Sequence, residues 1–386
     1  MIFTGITANG ETIAYRDGKR YLWTLSFIPP LVPILSYGLY LVTGSTLTTL
    51  IPFFYIFGLI PLLDALIGED RHNPPAEVVA AMEADPYYLM LARAAVPLLW
   101  LSFIATVAFV GTQELPWWSY LFLALGVGTI NGGALLVGHE LGHKPDRLNK
   151  IFATLANNVV GYAHFRVEHN RGHHTWVATP EDPASARFGE SIYSFAMREL
   201  PGAFERGWRN EAERLTRRGK SVWSVENEIL QGFVLTLAVA AALSAAFGWE
   251  VAPFILAHHF VGWYGLTQAN YIEHYGLLRG KRPDGRYQAV EPCHSWNTNH
   301  IISNLMTFHL QRHSDHHANP MRPYQSLRDF DDLPRLPSGY PGMFVLAAVP
   351  PLWFRVMNPK ALAWAGGDLA KLNRHFRVVP EASAAA

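Results

Sequence analysis

Six stretches of the chain are almost wholly apolar, at about residues 22–43, 47–68, 89–111, 117–138, 229–248 and 251–272. About 20 mainly apolar residues suffice for a helix to cross the hydrocarbon core of a bilayer. The fifth stretch, "ILQGFVLTLAVAAALSAAFG", has neither a charge nor the polar stripe of a helix on a soluble domain. The pattern predicts an all-α integral membrane protein of six transmembrane helices. Two polar regions, 139–228 and 273–386, follow the fourth and sixth spans and are expected to form a helical cap. Their centres, "IFATLANNVVGYAHFRVEHNRGHH" and "NHIISNLMTFHLQRHSDHH", read as helices interrupted by Asn and Gly. Segment 342–357, "GMFVLAAVPPLWFRVM", is too short to span and has Pro350 and Pro351 at its middle, so it predicts a helix pair on the membrane surface or against the cap. No internal repeat or detachable unit breaks this order. Residues 1–386 therefore read as a single membrane-embedded domain, with a disordered tail, "EASAAA".

Charge placement orients the spans. The short links 44–46, 112–116 and 249–250 hold no Lys or Arg, whereas Arg16, Lys19, Arg20, Arg71 and the two polar regions all fall on the other side. The positive-inside rule makes that side cytoplasmic, with both termini, in a cytoplasmic membrane of bacterial type. The first 20 residues have no continuous apolar run, so no cleavable signal peptide is expected. Only 16% of the 386 residues are charged, and 31 basic residues balance 31 acidic ones, which gives no general affinity for nucleic acid. The one cysteine, Cys293, rules out an internal disulfide and a cysteine-rich metal site. Seventeen histidines remain to be explained.

Nine of them fall in four groups. His139 and His143 lie in "HELGH" at the end of the fourth span. His169, His173 and His174 lie in "EHNRGHH", His274 in "NYIEHYG" after the sixth span, and His313, His316 and His317 in "HSDHH". On a helix, residues three and four apart share a face, so each group offers converging imidazoles. "HELGH" alone fits the zinc-peptidase pattern, in which two histidines hold zinc and the glutamate activates water. One such motif would leave the other groups idle. Nine histidines supply four or five ligands for each of two metals, and nitrogen donors without cysteine suit iron, copper or zinc. Iron performing oxygen activation is the preferred reading. A zinc intramembrane peptidase, with one metal and Glu140 as its base, is the alternative from another class.

Metal-bound histidine commonly donates its second N–H to a carboxylate or carbonyl. Glu140, Glu168, Glu273 and Asp315 accompany the groups and are assigned that supporting role, with Asn270 beside the third group. Asp64, at the cytoplasmic end of the second span, joins them because an ionisable group at that depth usually has a partner or a function. His72, His258, His259 and His375 are expected not to be ligands; His258-His259 would satisfy a hydrogen bond within the membrane. His164, His294, His300 and His309 lie near the groups and could support them.

With these residues assembled, the chain resembles the membrane-bound alkane 1-monooxygenase family, within the wider histidine-box di-iron proteins that include fatty-acyl desaturases. The resemblance rests on "NGGALLVGHELGHK", "GYAHFRVEHNRGHH", "NYIEHYGL" and "LQRHSDHHANP", and runs over about residues 20–370. It implies terminal hydroxylation of medium-chain n-alkanes to primary alcohols with O2, at two iron ions. It further implies that His139, His143, His169, His173, His174, His274, His313, His316 and His317 are the iron ligands. Electrons would come from a rubredoxin, served in turn by a rubredoxin reductase. A rubredoxin needs four cysteines, so the donor is expected to be a separate chain or a fused part outside this sequence. Fatty-acyl desaturation or hydroxylation is the alternative within the same metal chemistry.

An alkane has no polar handle, so chain length must be read by pocket shape. Phe54, Tyr55 and Gly58 of the second span are the candidate channel residues, Tyr55 lying roughly 13 Å deeper than Asp64 at 1.5 Å per residue. The run from Arg198 to Lys220 holds Arg206, Arg209, Arg214, Arg217 and Arg218 among Glu205, Glu211 and Glu213, and is a candidate dock for an acidic electron carrier.

Overall fold

The computed structural model describes residues 1–375; the "EASAAA" tail lies outside them. The chain opens with a hairpin, β1 (Ile2–Ile6) and β2 (Thr12–Arg16), paired antiparallel with Ile2 opposite Arg16. This short hairpin is an addition to an otherwise helical chain, which fits the expected all-α membrane protein. The turn carries Asn9-Gly10, with Gly10 at φ 81°, and such a pair between alternating apolar residues favours a hairpin.

Helices follow in the order α1 (Ile28–Thr43), α2 (Ile51–Phe54), α3 (Ile60–Ile67), α4 (Ala76–Glu83), α5 (Pro86–Thr112), α6 (Trp117–Gly142), α7 (Arg147–Asn158) and α8 (Phe165–Glu168). Then come α9 (His174–Trp176), α10 (Ile192–Arg217), α11 (Glu228–Phe247), α12 (Val251–His274), α13 (Ile301–Met306), α14 (His313–Ala318), α15 (Tyr340–Ala347) and α16 (Pro350–Trp364). Side-chain caps set several starts: Asp85 accepts from the Tyr87 amide, Asp146 from Asn149, and Asn227 from Ile229 and Leu230.

Among the described residues, five helical segments are long and apolar enough to cross a membrane: Leu22–Thr43, Thr46–Ile67, Pro86–Thr112, Trp117–Gly142 and Glu228–Phe247. Their outer faces expose Leu35, Leu62, Leu101, Leu121 and Leu237, the pattern of side chains meant for lipid rather than water. The expected sixth span, α12, has the length but not the apolarity, because His258, His259, Gln268 and Asn270 interrupt it. These four are all buried, whereas Leu256 and Phe260 are exposed, so α12 turns its polar residues inward and apolar ones outward. The helix pair expected over 342–357 is α15 and α16; Met343, Ala347, Trp353 and Met357 bury it against the cap.

Small residues bring α6 and α12 together. A Cβ on Gly132 would stand 3.1 Å from the Gly262 carbonyl oxygen, and one on Gly128 would stand 2.8 Å from Val261. Glycines four apart allow such backbone approach between membrane helices. Beside the crossing, Asn131 Nδ2 lies 3.0 Å from His258 Nε2, and the His258 and His259 Nδ1 atoms are 3.1 Å apart. The buried hydrogen bond expected of this histidine pair is therefore present. Since the last turn of α6 carries His139 and α12 ends in His274, the crossing fixes how the two histidine-bearing ends stand to each other.

Candidate metal centre

The nine histidines of the four sequence groups meet in two clusters. The first comprises His139, His143, His169, His174 and His316; the second comprises His173, His274, His313 and His317. Within each cluster one ring nitrogen from every residue lies within 4.8 Å of all the others.

Local backbone geometry decides the sorting. His139 and His143 are one α-helical turn apart, with ring centroids separated by 5.0 Å. The same spacing unites His313 and His317, whose Nε2 atoms lie 2.8 Å apart, while His316 turns toward the first cluster. The second sequence group behaves differently. Between α8 and α9 the chain makes a π-helical turn over His169–His173, in which residues five apart share a face. His169 therefore pairs with His174, Nε2 to Nε2 at 3.0 Å, and not with His173. His173 faces the second cluster instead.

The rings have the electronic character of metal ligands. Burial, reinforced by neighbouring rings, holds the imidazoles of His169, His174, His313, His316 and His317 far below their ordinary pKa. His143 is brought down to about 3 by burial and then by Lys144. Such rings are neutral and keep a lone pair. His173 is the exception: burial lowers it, but Asp182 outweighs burial and the net shift is upward. Asp182 Oδ2 sits 2.9 Å from His173 Nδ1 and holds the proton there, leaving Nε2 for the cluster. The His294 carbonyl oxygen does the same for His274, 3.2 Å from its Nδ1.

The Nε2 atoms of His139, His143, His173 and His274 are buried without a hydrogen-bond partner. Unpaired buried acceptors are costly, and here they come from three segments of the chain, two facing each cluster. Two sets of four or five neutral nitrogens, with no thiolate, fit two borderline metal ions such as iron, copper or zinc.

The predicted supporting residues divide by what they touch. Glu273 faces the second cluster, its Oε2 3.2 Å from His313 Nε2, while Oε1 accepts a 2.7 Å hydrogen bond from Tyr340. Glu168 pairs with Arg206, which also donates to Asp182 at 2.8 Å, so Glu168 reaches His173 at two removes. Glu140 pairs with Lys144 at 3.0 Å. Asp315 accepts from the Arg328 amide and guanidinium at 2.9 Å and from Asn319, bracing the segment after α14. Asp64 accepts from the Ser303 amide at 3.0 Å and ties α3 to α13; Asn270 donates to Glu199 at 3.1 Å.

Of the nearby histidines, His294 Nδ1 accepts from the Glu291 amide, His309 Nδ1 lies 3.1 Å from the Tyr324 carbonyl oxygen, and His300 bonds Thr298. His164 is buried with both ring nitrogens unpaired, and exposed His72 meets Asp70.

Sequence reasoning missed Asp182, Tyr340 and Arg312. Buried Arg312 precedes His313 and donates to Asn299, Asn73 and the carbonyl oxygens of Leu327, Asp70 and His72, thereby anchoring α14. The basic run of α10 needs a correction too. Arg206 is buried in its carboxylate pair and Arg214 is held by Glu211, which leaves Arg209, Arg217, Arg218 and Lys220 on the surface.

An apolar cavity of about 110 Å³ lies between the helices. Ile56 and Ile60, Ala95 and Leu99, Thr129 to Val137 of α6, Gly265 to Ala269 of α12, and Met306 to Leu310 contribute to its wall. Tyr340 closes the end that leads to Glu273 and His313. The expected channel residues lie elsewhere: Phe54 is 57% exposed on the outer face, Gly58 packs on Phe54, and Tyr55 reaches only the rim, its hydroxyl 3.6 Å from Met306 Sδ. The π-helical turn at Tyr55–Leu59 offsets the faces of this helix and brings Ile56 and Ile60 inward.

Membrane-type helices capped by two clusters of histidines define a membrane-embedded metalloprotein of the histidine-box type. The fatty acid desaturase family model matches residues 115–347, which hold all nine histidines. The chain is 52% identical to an alkane 1-monooxygenase of Ectopseudomonas oleovorans, over 93% of this chain and 89% of that protein. It is 51% identical to alkane 1-monooxygenase 1 of Alcanivorax borkumensis (95% and 90% covered) and 41% identical to the enzyme of Acinetobacter baylyi (92% and 88%). The chain belongs to the alkane 1-monooxygenase family.

Proposed function

We propose that this protein hydroxylates the terminal carbon of medium-chain n-alkanes to primary alcohols, using O2 and two electrons from a rubredoxin. The nine clustered histidines would hold two irons, His139, His143, His169, His174 and His316 one of them and His173, His274, His313 and His317 the other. When bound, the irons supply the redox chemistry that reduces O2 and breaks the C–H bond. The protein's own groups do the rest. Asp182 and the His294 carbonyl aim two of the rings. The cavity receives an unfunctionalised chain by apolar contact and keeps water away from it.

One observation carries the reading. Tyr340 lines the apolar cavity and donates to Glu273, whose other oxygen stands 3.2 Å from His313. A hydrocarbon in that cavity thus has one end at the second cluster.

The chain is a single domain in which α12 is the sixth span; at 24 residues it is about 36 Å long, enough to cross. The distribution of Lys and Arg puts the cap and both termini on the cytoplasmic side of the cytoplasmic membrane. The match to the desaturase family supports a second reading, an acyl desaturase or hydroxylase, which needs a polar head-group site at the open end of the cavity.

The test is conversion of octane to 1-octanol by the purified membrane protein with rubredoxin, its reductase and O2, alongside metal analysis. Two irons per chain and a terminal alcohol are expected. One zinc per chain, or hydrolysis abolished by Glu140→Gln, defeats the proposal in favour of a peptidase.

A further inference from the structure

Most glycines of the α6–α12 crossing are there for packing. A Cβ on Gly262 would stand 2.6 Å from Val160, and Gly132 and Gly128 are equally confined. Gly265 is different. It is buried and lines the cavity, yet a Cβ built on it would meet no atom within 4 Å. A glycine inside a helix costs stability relative to alanine, and at Gly265 no neighbouring element requires it. What the missing side chain leaves is cavity space.

Its depth gives that space a meaning. Gly265 lies nine residues before His274 on the same helix, about 13 Å down the axis from the ring that joins the second cluster. Nearer the cluster the wall of α12 is Leu266 and Ala269; at a similar depth on α6 stand Thr129 and Ile130. A straight hydrocarbon with one end beside Glu273 and His313 would reach Gly265 with its far end.

We propose that Gly265 sets the length of alkane the protein accepts, by leaving open the space taken by the distal carbons. The inference rests on the hydroxylase reading and deepens it. A side chain at this position shortens the usable cavity in steps: a methyl group displaces about one methylene of substrate and an isobutyl group at least two. Each methylene denied burial lowers relative turnover about fourfold.

The experiment compares wild type, Gly265→Ala and Gly265→Leu on n-hexane, n-octane, n-decane and n-dodecane, with the same electron donor and with iron per chain recorded. The decane-to-hexane product ratio is expected to fall about fourfold for Ala and about fifteenfold for Leu. An unchanged ratio in active variants overturns the inference, and so does a shift toward longer chains. Equal loss on every chain length in both variants also overturns it, because Gly265 would then support the helix and not the substrate. Wild type that converts no alkane counts against the hydroxylase reading itself.

Discussion

Replacing Asp182 by Asn tests whether a carboxylate remote in sequence orients a metal ligand. The change keeps the side chain's shape, so Oδ1 can still accept from the Ala184 amide, but it removes the charge from two buried contacts. These are His173 Nδ1 at 2.9 Å and the Arg206 guanidinium at 2.8 Å. A hydrogen bond to a charged group contributes about 1.5–3 kcal/mol and a neutral one about 1 kcal/mol. Losing the charge at both contacts weakens the support of His173 by about 2 kcal/mol, or about 30-fold in metal affinity at 1.4 kcal/mol per tenfold. That lies inside the 10–100-fold range usual for partners of metal-bound histidine. The assay is metal per chain against increasing chelator, read by elemental analysis with the far-ultraviolet circular dichroism of the same samples. The chelator midpoint should fall about 30-fold while helicity stays unchanged. Asp315→Asn is the control, because Asp315 grips Arg328 and no imidazole. If Asp182→Asn leaves the midpoint in place, or Asp315→Asn moves it as far, the reasoning from geometry to affinity is wrong.

Other consequences can be checked with simpler measurements. Glu199 on α10 is buried between Thr267 and Asn270, and burial pushes its carboxyl up to about 7, with Glu168 and Asp182 adding to the rise. The native state therefore binds this proton more tightly than the unfolded chain, so the fold loses stability as pH rises from about 4.5 to 7, by about 3 kcal/mol at most. Glu199→Gln should flatten that decline in thermal melts; an unaltered slope would show that Glu199 is ionised throughout. Phe54→Ala should leave the alkane profile unchanged, since its ring faces outward, whereas Ile60→Ala should enlarge the cavity and cost about 2–5 kcal/mol of stability. Profiles on mixed alkanes distinguish these outcomes, and a shift with Phe54→Ala would show that the channel runs on the other face. Charge reversal at Arg209 and Arg217 should raise the KM for rubredoxin at low salt and leave kcat alone. Turnover indifferent to both the substitutions and the salt removes α10 as the dock.

Much of the centre was legible because histidine is rare at membrane boundaries and its helical spacing is conspicuous. The four sequence groups are the four that meet. Their division was not legible. H-x3-H spacing joins His169 to His173 on an α-helix, and only the π-helical turn reassigns His169 to His174. Asp182 was hidden because it lies in a loop nine residues after its histidine, beyond the reach of any helical periodicity. A search for carboxylates in the loop "TPEDPAS" is the signal that would have found it. The cavity could not be read either, since seven separate segments build its wall. The hairpin was visible in principle: "ITANGETIAY" carries an Asn-Gly turn between alternating apolar residues. The apolar pattern predicted six spans, and five of those helices are apolar enough to cross a membrane; α12 falls short because its polar residues face the bundle.

Adjacent positions in the chain serve opposite sides of the centre: His173 and His174 part company, and so do His316 and His317. The segments His169–His174 and His313–His317 each serve both clusters, whereas His139 with His143 serve only the first and His274 only the second. Filling one position stiffens backbone that the other also depends on, and emptying one loosens both. Such a scaffold favours all-or-none occupancy, so half-loaded chains would be scarce during maturation and the binding isotherm for metal would be steeper than that of two independent sites.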